Sequence, residues 1–470
     1  MTTTNPSRSP DPAADSQSYL GTIIGLMAPI MMMGLYTAMF GIAIPTVRTE
    51  FGIEADVAAW VATIYTLPFM MFMPLYGRLG DALGKRRLFL AGIVIFMVGT
   101  AIAGAAPGLA WLMVGRAIQG FGTAGFVPLS MAIITQLFAA NQRGKIMGTW
   151  NSGFPLTGII GPFVGGALIE YFGWRAIFWP VLVVGLVAFA VVRKQVPSLG
   201  GGSTPDSLRR FIHRFDWGGV LLLSATTTSL LFYASSRPIT GLPPLRDWRL
   251  LATTLLLLAA FIGWERRRAD PFVPLNLYRN KTFTLASLCA GVRMFTMAGI
   301  RFIVPLYLVD IHHLSATATG LVLTAHAIPL FLVLRLGGQL ADRWGSRWPV
   351  VLSMLLQAGA MAYLALLPAG TSVWLVSIGV MGQSLSAGFS LAPLHRASMT
   401  GIPDKRTGIA AGLYSMVRFA GTVFGTALSG VVLQQALSQT EAPLEAYQLG
   451  FWFVAAVTLL GVLFGAGLKE

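Results

Sequence analysis

The sequence is a succession of long apolar runs, each about the length that crosses a bilayer, joined by short loops in which the basic residues collect. A membrane-spanning helix needs about 20 largely apolar residues. On that measure spans fall near 20–45, 57–76, 88–106, 110–137, 146–169 and 174–193, then near 217–235 and 249–264, then near 283–309, 317–336, 349–367, 372–395, 408–433 and 447–467. The chain is therefore expected to be an all-α polytopic membrane protein with fourteen transmembrane helices. Its composition excludes a soluble domain: 11% of the 470 residues are charged, where about a quarter is usual, and the mean hydropathy is +0.70.

Orientation follows from the loops. With the N-terminus inside, two thirds of the 33 Lys and Arg lie in cytoplasmic segments, whereas Arg48, Arg175, Arg237, Arg246 and Arg249 lie outside. That asymmetry places both termini in the cytoplasm. Residues 1–18 are rich in Ser, Thr, Pro and Asp and lack the basic start and cleavage site of a signal peptide, so a disordered cytoplasmic tail is expected. The remaining divisions are a six-helix bundle at 19–195, a cytoplasmic linker at 196–215 containing the polar stretch Gly200 to Arg214, a two-helix insertion at 216–265, a basic loop at 266–282 and a second bundle at 283–470. The net charge of +15 suits contact with anionic lipid. The basic residues do not interleave with aromatics, which argues against a nucleic-acid partner. Cys289 is the only cysteine, so neither a disulfide framework nor a cysteine cluster for metal or redox chemistry is expected.

One loop occurs twice. The stretch Gly-Arg-Leu-Gly-Asp-Ala-Leu-Gly-Lys-Arg-Arg at 77–87 is echoed by Gly338, Leu340, Ala341, Asp342, Gly345 and Arg347, again between two apolar runs. Two copies in matching places imply a duplicated half, and the pattern resembles the loop signature of the major facilitator superfamily of transporters. Arg143-Gly144-Lys145 and Lys405-Arg406-Thr407-Gly408 stand at matching later turns. Gly115-Arg116-Ala117-Ile118-Gln119-Gly120 is similar to the superfamily motif with a membrane-embedded arginine, and Gly153, Gly158, Gly161, Pro162, Gly165 and Gly166 to its antiporter motif. Two sets of six spans around a central pair, bounded by Asp216-Trp217 and Trp264-Glu265-Arg266, resemble its fourteen-helix drug exporter branch, the drug:proton antiporters.

That resemblance implies a secondary carrier in the plasma (inner) membrane, working by alternating access as a single chain on small molecules, with protons as the coupling ion and no cofactor. It implies export of drugs or other amphipathic compounds. It also implies a conformational latch from Gly77, Gly80, Asp81, Gly84 and Arg86 with Gly338, Asp342, Gly345 and Arg347, although Asp81 and Asp342 read equally as helix caps. The glycines and proline of the fifth span either bend that helix or let backbones pack closely. By the same resemblance, Tyr36, Tyr65, Arg116, Gln119, Trp150, Asn151, Arg293, His326, Gln383, Tyr414 and Arg418 are candidates for the wall of a central cavity.

One departure bears on substrate. The antiporters commonly carry an aspartate in the first span, and Tyr36 stands at that position here. All 18 carboxylates fall in loops, tails or helix ends. Arg116, Arg293, Arg418 and His326 lie deep, while Arg301, Arg335 and Arg396 lie nearer the ends of their spans. A charge at the bilayer centre costs about 2.5–3.5 kcal/mol, so these residues face either a cavity or a partner such as a carbonyl or Tyr36. Among the deep groups His326 is best placed to titrate. A cavity with arginines and no central acid is expected to favour anions, zwitterions or acidic lipids over cations. The sequence lacks the G-x-S-x-G, Walker and H-E-x-x-H signatures, which argues against an enzyme. A lipid-handling or sensor protein without turnover is the other class.

Overall fold

The computed structural model describes residues 12–138, 140–198, 215–235, 237, 241–268, 271–403 and 406–468. The linker from Gly200 to Arg214 and Lys405 lie outside the described residues, as do the side chains of Arg78, Asp81, Lys145, Asn151 and Arg335. All regular structure among the described residues is helical. The first half comprises α1 (Pro12–Phe51), α2 (Ala55–Leu83), α3 (Lys85–Gly104), α4 (Leu109–Thr123), α5 (Phe126–Leu137), α6 (Ala140–Asn151), α7 (Gly153–Phe172) and α8 (Phe178–Gln195). The insertion is α9 (Trp217–Ser235) and α10 (Trp248–Arg267). The second half is α11 (Lys281–Asp310), α12 (Ala316–Trp344), α13 (Arg347–Ala365), α14 (Val373–Met399), α15 (Thr407–Leu437) and α16 (Pro443–Ala466). Among the described residues, 13 helical stretches are long and apolar enough to cross a membrane, and Leu156–Phe172 is a shorter apolar one.

Three local features differ from the sequence expectation. The helix α1 begins at Pro12, inside the stretch expected to be a disordered tail. Proline suits a first helical position because its missing N–H would go unbonded there, and Ala13 and Ala14 are strong helix formers. The span expected at 110–137 is two helices meeting at Ala124 and Gly125, where Gly120, Gly122 and Gly125 concentrate residues of poor helix propensity. The span expected at 146–169 is likewise α6 and α7 meeting at Ser152, with Pro155 in the first turn of α7.

The duplicated loop is visible as backbone geometry. Gly84 turns α2 into α3 with φ 90°, and Gly345 turns α12 into α13 with φ 71°. Both lie in the left-handed region, which a residue without Cβ adopts at no steric cost.

The insertion is fastened at both ends. The buried Asp216 accepts from the Gly219 and Phe272 amides at 3.0 and 3.2 Å and from Trp264 Nε1 at 2.6 Å. The Val273 amide donates to Glu265 at 3.1 Å. Buried carboxylates tied to amides in this way satisfy donors that no helix would reach. At the opposite end Trp60 Nε1 donates to the Ser235 carbonyl at 2.8 Å, and Arg237 pairs with the buried Asp56 at 2.9 Å and with Glu54. Leu231 joins Trp60, Val423 and Ala427 in one apolar cluster, so α9 lies over the line where α2 meets α15.

Candidate functional site

The halves meet along two seams, α2 with α15 and α7 with α12. Each seam is sealed at the end away from the Gly84 and Gly345 turns. Gln434 near the end of α15 accepts from the Ala55 amide that opens α2, at 2.9 Å, and Glu170 near the end of α7 accepts from the Thr317 amide that opens α12, at 2.9 Å. Helix N-termini leave such amides without partners, and here each half supplies the cap for the other. The two caps are equivalent under the internal repeat. Between them Arg48 Nη1 lies 2.6 Å from Asp310 Oδ2, which also accepts from the Tyr447 hydroxyl at 2.5 Å.

Close backbone approach completes the seal. A Cβ at Gly166 would collide with the Ala316 carbonyl, and one at Gly320 with the Pro162 carbonyl. Gly161 rests on Leu35 and Ala38, Gly165 on Met39, and Gly158 faces Ala327. The helix α7 is continuous through Pro162, and these residues bring its backbone close to α1 and α12. Of the expected latch, Asp342 bonds Arg396 of its own half at 3.1 Å, both side chains being largely exposed. Among the described residues, Arg48 with Asp310 is a charged tie between the halves, at the other end.

The candidates in the first half lie inside that half. Arg116, 3% exposed, donates from all three nitrogens: Nε to the Val61 carbonyl at 2.5 Å, Nη1 to the Tyr36 hydroxyl at 2.5 Å and Nη2 to the Ala62 carbonyl at 3.1 Å. Its guanidinium also sits 3.5 Å from the Phe40 ring centroid. The buried Tyr65 accepts from Thr123 at 3.1 Å, the buried Gln119 donates to Thr100 at 2.9 Å, and Trp150 donates to the Leu26 carbonyl at 3.3 Å. Tyr36, Tyr65, Arg116, Gln119 and Trp150 thus pin α1, α2, α3, α4 and α6 together, so in this conformation their polar groups are engaged by the protein itself.

The second half is built differently. A Gly421 Cβ would collide with the Gly291 carbonyl, so α11 and α15 touch backbone to backbone and hold Arg293, Arg418 and Tyr414 at one level. Arg293 Nε donates to the Ala387 carbonyl at 2.9 Å, and Nη1 reaches only the Met294 sulfur at 3.6 Å. Arg418 Nε and the Tyr414 hydroxyl are buried without a hydrogen-bond partner. The Arg418 guanidinium lies 5.3 Å from the Phe419 ring and 6.0 Å from that of Tyr414, which His395 meets at 4.9 Å. No ion pair to Arg293 or Arg418 is found among the described residues.

Two further groups adjoin this cluster. Arg301 is exposed two thirds of the way along α11, a helix most of whose residues are buried against α12, α14, α15, α16 and α1. His326 Nε2 lies 3.0 Å from Gln383 Oε1, and Gln383 donates to Gln357 at 3.4 Å, which links α12, α14 and α13. Sequence reasoning missed His395, Gln434 and the pairing of Arg48 with Asp310.

Known proteins agree with this architecture. The family model described as the Major Facilitator Superfamily matches residues 26–285 and 286–469. The chain is 27% identical over 430 residues to the multidrug resistance protein Stp of Mycobacterium tuberculosis, covering 91% of this chain and 78% of Stp. It is 26% identical over 441 residues to the riboflavin transporter RibZ of Clostridioides difficile, covering 92% of this chain and 94% of RibZ. A crystal structure of a POT family transporter in complex with a thioalcohol-conjugated peptide superposes with a TM-score of 0.70 at 12% identity, covering 95% of each chain. With two half-length helical bundles joined along paired seams and a family match over nearly the whole length, the chain belongs to the Major Facilitator Superfamily of membrane transporters.

Proposed function

We propose that this protein is a secondary active exporter of drugs or similar amphipathic small molecules, working by alternating access. The observation that carries the reading is the paired seal: two halves that cap each other's helices at one end through a few hydrogen bonds and glycine contacts. Such contacts are separable, so the halves can rock against one another around a site between them. A relative named as a multidrug resistance protein supports drug export, and a relative named as a riboflavin transporter fits a site that takes aromatic small molecules.

The remaining elements of the reading are fourteen spans, both termini in the cytoplasm, the plasma membrane of a bacterial cell, and a single chain as the working unit. With this orientation the sealed end faces outward, and the structure is the inward-facing or occluded state. Proton coupling is part of the proposal, with His326 or the substrate itself as the carrier, since no acid lies deep in either half. Cells producing the protein should retain less of at least one member of a panel of neutral, anionic and cationic amphiphiles, and a protonophore should abolish the difference. Equal retention of every compound would refute export, and efflux indifferent to a protonophore would refute the coupling. Single cysteines in the loops at Gly77 to Arg87 and Asp342 to Arg347, in a Cys289-free background, should resist membrane-impermeant thiol reagents in intact cells. Labelling there would overturn the topology.

A further inference from the structure

The two halves treat their membrane-embedded arginines in opposite ways, Arg116 and Arg293 being buried and Arg418 half-buried with its Nε enclosed. Arg116 is used up by the protein itself, with a carbonyl or hydroxyl on each nitrogen. Arg293 and Arg418 are not. One nitrogen of Arg293 meets a carbonyl, Arg418 Nε meets no hydrogen-bond partner, and beside them the wholly buried Tyr414 keeps a hydroxyl with none. A buried donor left unpaired costs about 1–3 kcal/mol, more when charged, so an arrangement with two such donors side by side is stable only if something else accepts from them. The helices around the cluster supply no acid: α14 and α15 contain neither Asp nor Glu, and the carboxylates of α11 and α12 are Asp310 and Asp342, at the helix ends.

We propose that Arg293, Arg418 and Tyr414 form a receptor for the acidic head group of the transported molecule, a carboxylate, sulfonate or phosphate ester on an aromatic or aliphatic body. The guanidinium fork is suited to an oxyanion in two-point contact, and the Tyr414 hydroxyl adds a third donor. The aromatic faces of Phe419, Tyr414 and His395 provide the apolar side of the pocket. Arg301, eight residues along α11, lies about 12 Å farther toward the sealed end at 1.5 Å per residue. It extends the positive field along the path an anion would follow. The same field repels lipophilic cations. The inference rests on the reading of the chain as a carrier and narrows its cargo.

The test is binding to the purified full-length protein in detergent, with probes that share one aromatic body and bear a sulfonate, a neutral amide or a quaternary ammonium, and a fourth that is a single-chain phosphate lipid. The sulfonate should bind at least about tenfold more tightly than the ammonium, a gap of roughly 1.4 kcal/mol. Arg418→Gln and Arg293→Gln should each weaken the sulfonate by about tenfold or more, and the amide by a much smaller factor. Arg418→Lys should recover part of the loss, and Tyr414→Phe, which removes only the hydroxyl, should weaken the sulfonate by a few-fold. Tighter binding of the phosphate lipid than of the sulfonate would assign a lipid head group to the same receptor. Equal affinity for sulfonate and ammonium, or equal losses for every probe in the arginine variants, would overturn the proposal. Flux in proteoliposomes separates this result from the carrier reading. Transport of the amide or ammonium with no anion preference would sink the receptor and leave the carrier, whereas anion binding without flux of any probe would sink the carrier.

Discussion

Arg48 at the end of α1 and Asp310 at the end of α11 lie 262 positions apart in the chain and 2.6 Å apart in space. They occupy matching ends of the first helix of each half, so the pair closes the molecule across its internal repeat. Tyr447 and the caps from Gln434 and Glu170 surround the pair with ties that a modest motion of one half would break together.

An ion pair that is partly exposed contributes about 1 kcal/mol or less. Arg48→Ala and Asp310→Asn are therefore expected to leave the fold intact and to shift the balance between closed and open forms by a few-fold. A cysteine replacing Thr317, whose amide is capped across the seam by Glu170, reports on that balance in a Cys289→Ser background. Its reaction with an impermeant thiol reagent should quicken about two- to fivefold in either variant. An unchanged rate would mean that the pair does not hold the seam shut.

Gly320 lies against the Pro162 carbonyl, where a methyl group finds no room while the seam is closed. Gly320→Ala should fold, since alanine favours a helix by about 1 kcal/mol over glycine, yet it should hold the α7 and α12 seam apart. Substrate flux is expected to fall by at least about tenfold, with thermal stability in detergent nearly unchanged. Normal flux in Gly320→Ala would show that the close approach is dispensable.

Arg116 holds α4 to α1 and α2 with hydrogen bonds from a charged donor, and such bonds contribute about 1.5–3 kcal/mol each. Arg116→Gln should consequently lower the thermal midpoint of the purified protein by several degrees, and Arg116→Lys should do nearly as badly because an ammonium cannot span three acceptors in a plane. Arg418→Gln should cost little stability by comparison. If the two positions proved equally costly, the contrast between the halves would be wrong.

Much of the architecture was legible in the sequence. Spans follow from hydropathy alone, and the repeat of Gly84 by Gly345 announced two equivalent turns that the backbone geometry shows. The breaks at Ala124 and Ser152 were not read, because glycine, serine and proline in a long apolar run are as compatible with close packing as with interruption. The site was less legible than the fold. A polar residue in an apolar helix must face something other than lipid, but sequence does not say whether that is a neighbouring helix or a cavity. Tyr36 and Arg116 face each other, whereas Tyr414 and Arg418 keep polar atoms without a protein partner, although both pairs read alike along the chain. The seal was missed because Glu170, Gln434 and Asp310 stand at helix ends, where polar residues ordinarily meet water and draw no attention.

The central claim is that the chain carries small molecules across a membrane, and the most direct measurement is flux into liposomes containing the purified protein. The account predicts uptake of an aromatic amphiphile that saturates with concentration, exceeds that of protein-free liposomes, and is competitively reduced by unlabelled compound. Uptake that rises linearly and matches the protein-free control, for every probe that binds the protein, would contradict it.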